Sequence, residues 1–195
     1  TRRDFHRLRV EITRVNEQLA ASMRDPKGRY IHMIARAIEK MIRFYEGSVH
    51  DIEHFLKVWG YARTIGELEA LDPYTQETLE LAAIVHDIAC PLCRVKYGST
   101  AGPYQQTEGI PLAREFYAEF GLPEEQAERI CYLVGHHHTF HDIQGLDYQI
   151  LVEADFLVNA SESQMNQSTI ENFKKNVFKT ETGHKLLSEI YRLEQ

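Results

Sequence analysis

The chain contains ten histidines, and seven of them fall between His50 and His141. Imidazole binds divalent metals and exchanges protons near neutral pH, so this clustering marks where chemistry is to be sought. Three of the seven precede an aspartate, as His50-Asp51, His86-Asp87 and His141-Asp142. The flanking apolar residues separate them. His86 extends the series Leu79, Ala82, Ala83 and so projects inward, and the two alanines leave room for another helix to approach. Asp87 follows about 100° further around the axis, where it can reach the same atom as His86. His54 shares a helical line with Val58, Ala62 and Ile65; Asp155 shares one with Tyr148, Leu151 and Val158; His137 continues Ile130, Leu133 and Val134. Four separate helices thus each turn a metal-competent residue toward the interior. Burying an unpaired carboxylate is costly, and a metal ion compensates it directly. A mixed nitrogen and oxygen set suits Mn, Fe, Co, Ni or Zn, with Mg less at ease beside two imidazoles.

The elements that must position these residues read as helix after helix. Apolar residues Leu8, Ile12, Val15 and Leu19 predict a helix over 4–24, broken by DPKGR at 25–29. A second runs from Tyr30 to Tyr45 on Ile31, Ile34, Ile38, Met41 and Ile42, and Gly47 ends it. Asp51 is placed to cap the next, which carries Phe55, Val58, Trp59, Ala62 and Ile65. After the break at Asp72-Pro73, helical patterns cover 74–88, 109–120, 123–137, 147–161, 168–178 and 181–193. The one strand-like run, YQILV at 148–152, continues with helical spacing. Residues 89–108 are the longest stretch without periodicity and are expected to be a functional loop. The fold class is all-α.

Length and charge bound the rest. At 195 residues and 22.7 kDa the chain fits one domain, or one domain with a helical extension. Net charge is -7, with 11 basic and 6 acidic side chains in residues 1–50 against 11 and 23 in the remainder. An acidic body is a poor platform for non-specific nucleic-acid binding. No apolar stretch approaches the roughly 20 residues that span a bilayer. The opening TRRDFHRLRVEITR lacks the apolar core of a signal peptide, so a cytoplasmic protein without a membrane partner is expected. Three cysteines make no disulfide framework. Cys90 and Cys93, in CPLC, lack the strand-to-helix setting of a redox pair and read as buried thiols. His138, His141 and Asp142 are expected in a solvent-facing turn or lining the mouth of the pocket. Apolar faces on the terminal helices permit a homodimer.

The order His54…His86-Asp87…Asp155 on an all-helical chain resembles the HD superfamily of metal-dependent phosphohydrolases. Supporting segments are HDIEHFLKVWGYA (50–62), LELAAIVHDIA (79–89), EGIPLA (108–113), YLVGHHH (132–138) and ILVEADFLVN (150–159). The resemblance implies an HD-type helical bundle over 50–160, a helical N-terminal extension over 1–49 and C-terminal helices over 161–195. It implies that His54, His86, Asp87 and Asp155 hold the metal, with His136 or His137 beside it. Binuclear relatives usually place a histidine where this chain has Gln105, which favours a one-metal site. Many relatives carry an acidic residue soon after the His-Asp pair to orient the attacking water, and residues 88–107 contain no carboxylate. Glu108, a histidine or metal-bound water would serve instead.

The implied reaction is hydrolysis of a nucleotide or another small phosphate ester, as a phosphomonoesterase or phosphodiesterase. His137 or His136 would accept or deliver the proton. Arg94, Lys96 or Lys57 would hold phosphate charge, and Tyr97 and Tyr104 would stack on a base. The alternative is a metal- and nucleotide-binding module that senses or scaffolds without turnover, kept open by the missing carboxylate.

Overall fold

In the computed structural model, which describes residues 26–193, every regular element among them is a helix. The helix expected over 4–24 lies outside the described residues. The order is α1 (Pro26–Phe44), α2 (Val49–Leu68), α3 (Pro73–Val85), α4 (Cys90–Tyr97), α5 (Gly102–Tyr117), α6 (Glu124–His136), α7 (Leu146–Glu162), α8 (Gln167–Asn176) and α9 (Glu181–Tyr191). The chain divides into two units, Thr1–Arg36 and Ala37–Gln195. Of the first, the described residues 26–36 are helical, and the packing below concerns the second.

Local chemistry sets the helix starts. The Asp72 carboxylate accepts the N–H groups of Tyr74 and Thr75 at 3.0 and 3.1 Å, and Pro73 sits in the first turn, where no N–H is needed. Asn166 caps α8 by accepting from the Thr169 N–H, and Thr180 caps α9 by accepting from the Gly183 N–H, both at 2.9 Å. In the interior, α2 packs on α3 and α7, α3 also meets α6 and α7, α5 lies along α6, and α4 lies on α5. Every residue from Thr78 through Val85 on α3, and from Asp147 through Val158 on α7, is buried. A helix enclosed on all sides has no polar stripe, which is why YQILV within α7 looks strand-like in isolation.

The loop expected over 89–108 is mostly helix. Pro91 and Pro103 occupy the first turns of α4 and α5, and Gly98 ends α4 in the left-handed region at φ 63°. Prolines and glycines that read as loop punctuation are helix-boundary residues here, and only 98–101 is left between the two helices. The helix expected to reach 88 stops at Val85. His86 caps it, and residues 86–89 form a turn to which the Tyr45 hydroxyl donates, at the Asp87 carbonyl, 3.1 Å away. Asp51 is not the cap of α2. Ser48 holds that position, and Asp51, buried in the first turn, accepts from the Arg94 guanidinium at 2.5 and 2.8 Å and from the Ser48 hydroxyl at 2.6 Å. This ion pair ties α2 to α4.

Candidate metal centre

Four elements bring five imidazoles and carboxylates to a common point: α2 supplies His54, the turn after α3 supplies His86 and Asp87, the end of α6 supplies His137, and α7 supplies Asp155. The Nε2 atoms of His54 and His86 lie 3.2 Å apart. Asp155 Oδ1 is 3.3 Å from the first and 3.5 Å from the second. Asp87 Oδ2 is 3.4 Å from His54 Nε2 and 3.8 Å from His86 Nε2, and Asp87 Oδ1 is 3.4 Å from His137 Nε2. Ligands held about 2.1 Å from one ion sit roughly 3.0–3.4 Å from each other, so these spacings are close to those of a coordination shell. His54, His86 and Asp87 can thus hold a metal ion, and Asp87, His137 and His138 form a second such group.

The fit is tested by the atoms left unsatisfied. Among the described residues, Asp87 Oδ1, His137 Nε2 and His138 Nε2 are buried without a hydrogen-bond partner. Each such atom costs about 1–3 kcal/mol. All three belong to the Asp87, His137 and His138 group, where a divalent cation would satisfy them, and the charge of a cation between these helices would offset the Asp87 and Asp155 carboxylates. The residues present therefore fit a metal ion.

Ring orientation is held from behind. His86 Nδ1 lies 2.8 Å from the Ala83 carbonyl, and His137 Nδ1 lies 2.8 Å from the Val134 carbonyl, so each donates there and turns Nε2 to the centre. The Asn159 amide donates to Asp155 Oδ1 at 2.7 Å from one turn further along α7. Burial alone would lower the His54 pKa, but the Asp155 hydrogen bond and the charges of Asp87 and Asp155 raise it to about 9. Burial would raise Asp155, yet hydrogen bonds from His54 and His86 hold it well below the usual carboxylate range. Burial also lowers His138 to about 4, helped by the charge on His137, and so keeps it neutral.

The other residues singled out from the sequence are engaged as follows. The Lys57 ammonium meets Glu162 at 3.1 Å and Glu53 at 3.6 Å. Arg94 holds Asp51. Glu108 accepts from Lys96 Nζ at 2.7 Å and from the Tyr97 hydroxyl at 2.5 Å. The Tyr97 and Tyr104 rings stack on each other, 4.2 Å apart and 8° from parallel. His136 lies on the Tyr132 ring at 4.0 Å, its Nδ1 2.7 Å from the Tyr132 carbonyl. Gln105 is buried, and its amide donates to the Thr100 carbonyl at 2.9 Å. His141 and Asp142 are exposed as expected, but His138 is not. The chain leaves α6 at His136, and the turn lays the His138 ring against His137, 3.9 Å away, and against Gly102. Cys90 and Cys93 are buried free thiols. Sequence reasoning missed Glu162 and Asn159. Both lie on the Asp155 face of α7, seven and four residues on, so spacing from Asp155 was the signal that could have found them.

A family model described as HD domain matches residues 51–173. No curated protein matches the chain. Among solved structures, the chain is similar to a predicted HD superfamily hydrolase from an uncultured Thermotogales bacterium. The TM-score is 0.59 and the identity 21%, with 84% of this chain and 86% of that chain covered. At that identity the likeness speaks for the fold, and the helical bundle is the same in kind.

Proposed function

The chain belongs to the HD domain family, and from that membership we propose that it is a metal-dependent phosphohydrolase acting on a nucleotide or another small phosphate ester. The observation that carries this reading is the convergence of His54, His86, Asp87 and Asp155, with unsatisfied buried atoms on Asp87 and His137. These four residues would hold the ion, which, when bound, polarises a phosphoryl oxygen and lowers the pKa of a water. His137, its ring fixed by the Val134 carbonyl, turns Nε2 to the same point and would accept a proton there. His136 is the second proton-transfer candidate, with its Nδ1 side turned to the Tyr132 carbonyl. Glu108 is held through Oε1 by Lys96 and the Tyr97 hydroxyl, which leaves Oε2 as the oxygen that would orient water.

Substrate charge would be met by side chains that now hold carboxylates. Lys57, Arg94 and Lys96 are 48%, 45% and 50% exposed, and a phosphate can compete for each. The stacked Tyr97 and Tyr104 rings form a ready platform, so a base would extend the stack instead of entering between the two rings. One ion per chain is expected from Gln105. If metal analysis gave two, the second would be held by Asp87, His137 and His138.

A second reading, a metal- and nucleotide-binding module without turnover, is favoured by the commitment of Glu108 to Lys96 and Tyr97. One experiment separates the two. The protein is stripped of metal, reloaded with Mn, Co, Ni, Zn or Mg, and assayed for phosphate release on a panel of nucleotides and small phosphate esters, with Asp87→Ala alongside. Metal-dependent release that disappears in the variant supports hydrolysis. Stoichiometric metal with no release on any substrate supports the module, and an Asp87→Ala protein with full metal and full activity removes the centre.

A further inference from the structure

The three central imidazoles are not anchored alike. His86 and His137 stand at the ends of α3 and α6, where helix carbonyls are free of intrahelical partners, and each donates to the carbonyl three residues back. His54 stands in the middle of α2, where the corresponding carbonyls already accept helix hydrogen bonds. Its Nδ1 needs a partner from elsewhere, and finds the Glu162 carboxylate at 2.8 Å.

Glu162 is the last residue of α7 and follows Asp155 by two turns on the same face. One helix therefore grips both nitrogens of one ring, Asp155 Oδ1 at 3.3 Å from Nε2 and Glu162 Oε2 at 2.8 Å from Nδ1. Local helix energetics do not account for an acidic residue there, since a negative charge in a last turn opposes the helix dipole. The groups facing the carboxylate are His54, Lys57 at 3.1 Å and, more distantly, the exposed His50 at 4.0 Å.

We propose that Glu162 is a positioning residue: with Lys57 behind it, it fixes the His54 ring with Nε2 toward the metal position and raises that nitrogen's strength as a ligand. The proposal rests on the metal-centre reading above. A carboxylate does this better than a carbonyl because its full charge strengthens the Nδ1–H bond and, through the ring, the opposite nitrogen. Lys57 Nζ meets the second carboxylate oxygen at 3.1 Å and so restrains Glu162 beside the ring.

The test is the affinity of the metal-stripped full chain for Mn(II), titrated calorimetrically in the wild type, Glu162→Ala, Glu162→Gln and His54→Ala, with circular dichroism confirming the helical fold of each. Glu162→Ala is expected to weaken binding about 10–100-fold. Glu162→Gln should recover part of the loss, because its amide oxygen still accepts from Nδ1, a rescue that a merely structural role would not produce. If His54→Ala loses affinity while Glu162→Ala stays within about twofold of wild type, the positioning role is overturned and the metal centre stands. If His54→Ala binds Mn(II) as tightly as wild type, the centre itself is misassigned and the proposal falls with it.

Discussion

At Asp51, two effects of opposite sign meet on one carboxyl. Burial would raise its pKa, but hydrogen bonds from Arg94 and Ser48 overcome this and hold it below its ordinary value. A carboxyl depressed in the folded state contributes stability above its unfolded pKa, about 3.8–3.9, and loses it as pH falls through the lower folded value. Asp51→Asn should therefore destabilise the protein by roughly 1–2 kcal/mol at pH 7, the lower part of the range for a charged hydrogen bond because Arg94 is 45% exposed. Urea unfolding of both proteins from pH 7 to pH 3 should show the gap closing below about pH 4. A gap independent of pH would mean the pair contributes nothing through its charge. The identity of this partner was not legible in the sequence, where Asp51 reads as a cap and Arg94 as a phosphate ligand. Nothing in spacing relates residues on α2 and α4. His86, Asp155 and His137 were legible as inward residues because each continues an apolar line on its own helix. His138 was not, because it follows the end of α6 and its direction is set by the turn.

Among the elements, the α5–α6 pair shows what sequence punctuation can and cannot say. A Cβ on Gly109 would lie 2.8 Å from Val134 Cγ1, and one on Gly135 would lie 2.7 Å from Ile110 Cδ1, so each helix offers a glycine to a branched side chain of the other. Gly109→Ala must push Val134, which is fully buried, and is expected to cost about 1–3 kcal/mol. Denaturant unfolding checks this, and unchanged stability would mean that α5 can shift freely along α6. The helices with long apolar periods were legible from sequence, with ends within about four residues except at α5, expected from 109 and beginning at Gly102. Helix α4 was not, since its eight residues, CPLCRVKY, carry too few apolar positions to show a period and begin with a proline-bearing turn. Its start and stop signals were present at Pro91 and Gly98, but the same residues also mark loops.

Over the whole molecule, the centre couples α2, α3, α6 and α7, so what binds there should stabilise the bundle as a unit. An ion at a hundredfold its Kd adds about 2.7 kcal/mol, which for a chain of this length raises Tm by roughly 5–10 °C. Thermal unfolding with and without Mn(II) or Co(II) measures this, and Asp87→Ala should remove the shift. A wild-type Tm indifferent to every divalent ion would argue against a metal between these helices. Among the described residues no helix is long and apolar enough to cross a membrane.

The sequence by itself determined the all-α class, the helices that carry the centre, and the inward direction of His54, His86, His137 and Asp155. Each of these follows from periodicity within one segment, where a residue's face is set by its distance from apolar neighbours. The motif order determined the family as well. Only the tertiary structure decided that Glu162 stands behind His54, that Arg94 holds Asp51, and that Lys96 and Tyr97 hold Glu108. It also decided that His138 turns inward beside His137. Those pairings depend on which helix ends meet, and side chains on different elements find each other through packing that no spacing along the chain encodes.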